Sequence, residues 1–199
     1  GFPRRAGAED FYLLNKLAKL GPVARLSGSC IALQSRRSSR VPFGTGPAVE
    51  TILRAGQPRE TALFYHPRCF EALRALLAGL PELAHAPERD MAQLLETHGL
   101  DETLAAQAQF ALAAQGIHGA LAHCQRQSTS SAQFQRQFHQ WFDAFRTLKF
   151  IHALRDAGWP RQSLTQLDTL QPALWPTTAA PPHDMELLLE ASARHWGWQ

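Results

Sequence analysis

The sequence predicts a mainly α-helical protein with a short α/β stretch at its beginning. Three observations lead there. Beyond about residue 50, apolar side chains recur at three- and four-residue steps through one segment after another. Strand character is confined to one brief run, Cys30-Ile31-Ala32-Leu33. Strong breakers separate the periodic segments, at Gly21-Pro22, Gly56-Gln57-Pro58 and Gly158-Trp159-Pro160. The chain divides near residue 50, into a first part over 1–50 and a helical domain over 51–199.

The elements follow in order. Residues 1–7 are an irregular lead-in with Pro3 and Gly7. A helix is expected over Glu9–Leu20, with Leu13, Leu14, Leu17 and Leu20 on one face. Glu9 and Asp10 stand in its first turn, Lys16 and Lys19 toward its end, which suits the helix dipole. The strand at Cys30–Leu33 runs into an arginine-rich loop, Gln34-Ser35-Arg36-Arg37-Ser38-Ser39-Arg40. Pro42, Gly44, Gly46 and Pro47 keep 42–47 irregular, and a short helix is expected over Ala48–Arg54.

Helices then follow over Pro67–Leu80 and over Pro87–His98, the second ending at Gly99. Asp101 is a good N-cap for an Ala/Gln-rich helix to about Gln127, with Gly116 and Gly119 as interruptions. Ser130 with Gln133 fits a capping box for the strongest helix, Ala132–Ala157. Phe134, Phe138, Trp141, Phe142, Phe145, Leu148 and Ile151 form its stripe, which reads as core. A short helix over Ser163–Leu170, a Pro-rich linker over 175–182 and an amphipathic helix over His183–Trp196 complete the chain.

Composition limits the function classes. Hydrophobic content is 45% and charged content 19%, enough apolar side chain for a real core. No apolar run approaches the roughly 20 residues that span a bilayer, and no signal segment is present. A cytoplasmic protein with no membrane span is expected. The net charge of +3 is uneven. Residues 1–40 hold eight Lys/Arg against two acids, and the remainder twelve against fifteen. A local positive field of this kind suits a phosphate or diphosphate, or is simply a solvated surface. Cys30, Cys69 and Cys124 make no CxxC pair, so reduced and mostly buried thiols are expected. The nine His residues show no zinc spacing, and no metal site built from this chain alone is expected. The chain opens on Gly1, not Met, which reads as a fragment, a processed product or a trimmed chain.

Two stretches carry chemistry. Glu9-Asp10 can cap the helix, bind a cation, or supply a general base to a substrate hydroxyl. In the arginine loop, Gln34, Arg36, Arg37 and Arg40 place forked guanidiniums beside hydroxyls, and Gly44-Thr45-Gly46 can bring backbone N–H groups against a ligand. That loop also reads as an exposed turn or a nucleic-acid patch. It lacks interleaved aromatics, so nucleic acid is not expected as a partner.

Together these stretches resemble a known family. An x-Glu-Asp at a helix start, a strand, and a Gln-x-x-Arg loop (Gln34 to Arg37) look like the C-terminal end of the catalytic domain of family-two glycosyltransferases. The likeness is nearest to a bacterial group with the stretches matching Glu9–Lys19 and Arg40–Gly46, and with a distal segment matching Trp141–His152. These enzymes have the GT-A nucleotide-diphospho-sugar fold and invert the anomeric centre. The resemblance implies that residues 1–50 are the end of a GT-A domain and 51–199 an appended helical domain. It implies Asp10 as the base, Glu9 as its neighbour, and Gln34, Arg36, Arg37, Arg40, Gly44, Thr45 and Gly46 near the diphosphate or acceptor. Its partners would be a nucleotide-sugar donor and an unknown acceptor. Processive members carry a Trp after the Arg of that loop, and Ser38 departs from this. A divalent metal, Mg or Mn, is implied for the full-length enzyme and none for this chain alone, since it has no Asp-x-Asp. Alone it would be inactive, because the nucleotide-binding half is absent. The alternative reading is a non-catalytic helical interaction domain, with the Phe134–Ile151 stripe as its docking face.

Overall fold

A computed structural model describes residues 8–21, 44–55, 60–61 and 64–170. The expected strand at Cys30–Leu33, the arginine loop, the 175–182 linker and the helix over His183–Trp196 lie outside the described residues. What is described is mainly helical: α1 (Glu9–Leu17), α2 (Thr45–Ala55), α3 (Pro67–Ala78), α4 (Leu80–His85), α5 (Met91–Thr97), α6 (Glu102–Ala113), α7 (Ile117–Gln127), α8 (Ser131–Trp141), α9 (Ala144–Asp156) and α10 (Leu164–Leu170). The contacts sort into two compact units. One is drawn from Gly1–Thr51 with Tyr65–Pro160, the other from Ile52–Phe64 with Arg161–Gln199.

The first unit is a helical core. α3 lies at its centre and packs against α4, α5, α6 and α9. Its buried face is made of small residues, Cys69, Ala72 and Ala75, together with Leu76. Small side chains let neighbouring helices come close, and Gly79 carries this furthest. A methyl group there would stand 2.8 Å from Leu94 Cδ2 and 3.0 Å from its Cγ. Leu94 is fully buried and has little room to give. Gly79→Ala is therefore expected to destabilise the protein by about 1–3 kcal/mol, seen as a lower urea midpoint at unchanged slope.

Local signals set the helix ends. Asp90 Oδ1 accepts from Gln93 N at 2.9 Å and starts α5. At its other end Gly99, at φ +95°, lets Leu100 N reach Leu95 O at 3.2 Å and Gly99 N reach Glu96 O at 2.9 Å. That pair of bonds is a Schellman stop. Asp101 caps α6 through Leu104 N at 2.9 Å, as expected. The Asp101–Gln127 stretch is interrupted at Gly116, as expected, where φ +82° separates α6 from α7, while Gly119 lies within α7. Ser130 Oγ accepts from Gln133 N at 3.2 Å, half of the expected box. The Gln133 side-chain oxygen takes the N–H and hydroxyl of Thr129 instead of closing on Ser130.

Four expectations are corrected. Leu80 does not end α3; it opens the separate helix α4, with Pro81 in its first turn. The helix expected from Pro87 starts only at Met91. Thr45, Gly46 and Pro47 are not irregular but form the first turn of α2, where a proline lacks no needed hydrogen bond. The helix expected over Ala132–Ala157 breaks at Phe142-Asp143. Phe142 takes φ −84°, ψ 63°, and Asp143 is extended at φ −79°, ψ 178°. The aromatic stripe runs on across the break. Phe134, Phe138, Phe142 and Phe150 are all buried, with the Phe142 ring tilted against Phe138 at 5.6 Å and edge-on to Phe150 at 6.0 Å. Trp159 closes the far end, donating from Nε1 to Gln107 Oε1 at 2.7 Å.

In the second unit, Phe64 and Gln162 exchange two backbone hydrogen bonds. Ser163 and Gln166 form a reciprocal capping box at the start of α10.

Candidate functional site

The site grows from α1. Ala8 precedes it in the left-handed region, φ 61° and ψ 25°, and offers no side chain to cap it. The first turn therefore relies on its own acids. Asp10 Oδ1 accepts from Phe11 N at 2.8 Å, satisfying one of the N–H groups a helix start leaves open. Both Glu9 and Asp10 are exposed. No second hydrogen bond to the Asp10 carboxylate is made among the described residues.

The opposite side of α1 is tied to the break between α8 and α9. Asn15 Nδ2 donates to Asp143 Oδ2 at 3.1 Å, and Lys19 Nζ donates to the same oxygen at 2.6 Å. Ala144 N donates back to Asn15 Oδ1 at 3.0 Å. The other oxygen, Asp143 Oδ1, caps α9 by accepting from Phe145 N and Arg146 N, both at 3.1 Å. Tyr12 adds a ring contact to Phe145 at 6.3 Å. One carboxylate thus starts a helix and anchors another that lies more than 120 residues away in sequence.

Burial alone would raise the Asp143 carboxyl. The bonds from Lys19, Arg146 N and Asn15 together outweigh it and hold the group below its ordinary value of 3.8. A carboxyl lowered in the folded state stabilises above its unfolded pKa and stops doing so as pH falls through its folded one. Asp143→Ala is expected to cost about 2 kcal/mol at neutral pH, from a lost cap and lost hydrogen bonds. Asp143→Asn keeps an acceptor for the cap and is expected to cost about half as much. The gap between wild type and Asp143→Asn should close below about pH 4, measured by urea unfolding across pH.

Helical spacing puts Asp10, Leu14 and Leu17 on one face. Leu14 is 52% exposed, Leu17 46% and Leu20 86%. Of the four leucines placed on one face of α1, Leu14, Leu17 and Leu20 are exposed and Leu13 is half-buried, and the residues that hold the helix are Tyr12, Asn15 and Lys19.

The remaining candidates fall as follows. Gly44 is exposed at φ +88°, and Thr45 and Gly46 begin α2. Gln34, Arg36, Arg37 and Arg40 lie outside the described residues. Asn15 and Asp143 were not singled out from the sequence. The signal was present in Asp143, a residue that prefers the cap position, but the uninterrupted aromatic stripe masked it.

Among the described residues, no group of three or more His, Cys, Asp or Glu converges. Cys69 and Cys124 are buried free thiols, and burial pushes Cys69 up to about 11, which leaves it protonated and unreactive. Among the described residues no helix is long and apolar enough to cross a membrane. Comparison with protein-family models, with curated proteins and with solved structures finds no match to this chain.

Proposed function

We propose that the chain is the acceptor-side part of an inverting, family-two-like glycosyltransferase, joined to a helical domain that braces it. One observation carries the reading. Two of the stretches on which the resemblance rests, Glu9–Lys19 and Trp141–His152, are bonded to each other through Asn15, Lys19 and Asp143. This leaves Asp10 on the outward face of α1, beside exposed Leu14 and Leu17. On this reading that face meets the nucleotide-binding part of a longer, cytoplasmic enzyme, and residues 1–50 complete its GT-A domain.

The chemistry asked of Asp10 is modest. Its carboxylate takes the proton of an acceptor hydroxyl as that oxygen bonds to the anomeric carbon. The bond from that carbon to the diphosphate oxygen breaks on the opposite side, and the nucleoside diphosphate leaves with the electron pair. A carboxylate is a weak base, so the proton moves late, when the attacking oxygen has already gained positive charge. Gln34, Arg36, Arg37 and Arg40, with Gly44, Thr45 and Gly46, are assigned to the diphosphate or the acceptor, because guanidiniums bind phosphate oxygens in pairs. On this reading a divalent metal, Mg or Mn, belongs to the nucleotide-binding part of the longer enzyme.

The reading is tested by assaying sugar transfer from nucleotide-sugar donors in the longer protein, wild type against Asp10→Asn. It also requires that the coding sequence ahead of Gly1 encode a nucleotide-binding segment with an Asp-x-Asp. A reading frame that opened at Gly1 would remove it.

A further inference from the structure

A cleft of about 480 Å³ lies where the end of α1, the last turns of α8 and the Phe142-Asp143 break meet. That size suits a small organic ligand. It is separate from the Asp10 carboxylate: Asn15, which borders the cleft, is five residues on and about 140° around the helix.

The charges around the cleft are unequal. Asp143 is already matched by Lys19, Asn15 and two backbone N–H groups. The C-terminal end of α8 and the N-terminal start of α9 adjoin here, so their opposite end charges largely offset. What remains is Arg136. Among the described residues its guanidinium has no hydrogen bond, ion pair or ring contact, and Arg136 borders the cleft. His139 and Gln140 follow at the third and fourth positions along α8 and border it too. Burial lowers the His139 pKa, so at neutral pH this imidazole is an uncharged donor or acceptor. Phe142, Ala18 and Leu20 supply an apolar side. A forked cation, an imidazole and an amide in adjacent positions offer several donors to the oxygens of one tetrahedral group.

We propose that this cleft binds a phosphate monoester of a small organic molecule, with the phosphate on Arg136 and the organic part against Phe142. The site stands on its own geometry and does not depend on the glycosyltransferase reading.

The test titrates the 199-residue chain with glucose 1-phosphate, inorganic phosphate and glucose, following backbone NMR signals of His139 and Gln140. Glucose 1-phosphate should shift these signals saturably, and glucose should not. Arg136→Gln, at an exposed position that does not threaten folding, should weaken binding roughly tenfold. Arg126→Gln, on α7 away from the cleft, should leave it unchanged. No saturation by about 10 mM would overturn the proposal. So would equal weakening by both variants, which marks diffuse charge, or inorganic phosphate binding as tightly as the ester, which leaves the apolar side without a role.

Discussion

Asp10→Asn, made in the longer enzyme proposed here, lowers sugar transfer by roughly 10²–10⁴-fold, the usual worth of a positioned general base. The substitution is nearly isosteric. Its side-chain oxygen can still accept from Phe11 N, the one bond Asp10 makes at the helix start. The fold should therefore survive, and circular dichroism and urea unfolding should match wild type. The loss should fall on kcat and kcat/KM together, since the proton is taken only as the new bond forms. Asp10→Glu moves the carboxylate by about one methylene and should recover part of the rate. Unchanged turnover in Asp10→Asn would remove this residue as the base, whatever becomes of the family reading.

The largest expected stability effect lies in the aromatic stripe. Phe138→Ala should destabilise the helical unit by about 3–5 kcal/mol, through lost transfer energy and the cavity left behind. Phe138 is fully buried and lies 5.7 Å from the Trp141 ring and 5.6 Å from that of Phe142. Few neighbours can collapse into the gap, because they are held by one another. Phe145→Ala should cost less than about 1 kcal/mol, since Phe145 is 37% exposed. Chemical unfolding of the two variants checks the contrast. Equal losses would mean that the stripe acts as a surface and not a core, which is the docking-face alternative.

The stripe was legible because its burial and its periodicity agree. Phe134, Phe138, Phe142 and Ile151 are buried as the spacing suggests, whereas Phe145 of the stripe is exposed and Phe150, outside it, is buried. Asp101 and Ser130 were legible as caps for a similar reason: a short polar side chain at the edge of an apolar pattern has one good use. The break at Phe142-Asp143 was not legible. Apolar residues three and four apart continue through it, and no Glu or Gln follows Asp143 at the third position to complete a capping box. α1 failed in the opposite sense. Its leucines have helical spacing, yet Asn15 and Lys19 decide which side is held, and spacing cannot reveal a partner 124 residues away. The arrangement of Asp10 relative to Asn15 was likewise hidden, because it depends on that choice of face.

Asp143 also ties α1 and the start of α9 into one exchange unit. When α1 detaches, the carboxylate loses Asn15 and Lys19 but must still hold the first turn of α9. When that turn frays, α1 loses its anchor. Amide hydrogens at the start of α9 should then exchange faster whenever α1 is loosened, for example by Asn15→Ala, although no residue of α9 has been altered. Opening at the N-terminal helix becomes a property of the aromatic bundle, transmitted by a single side chain.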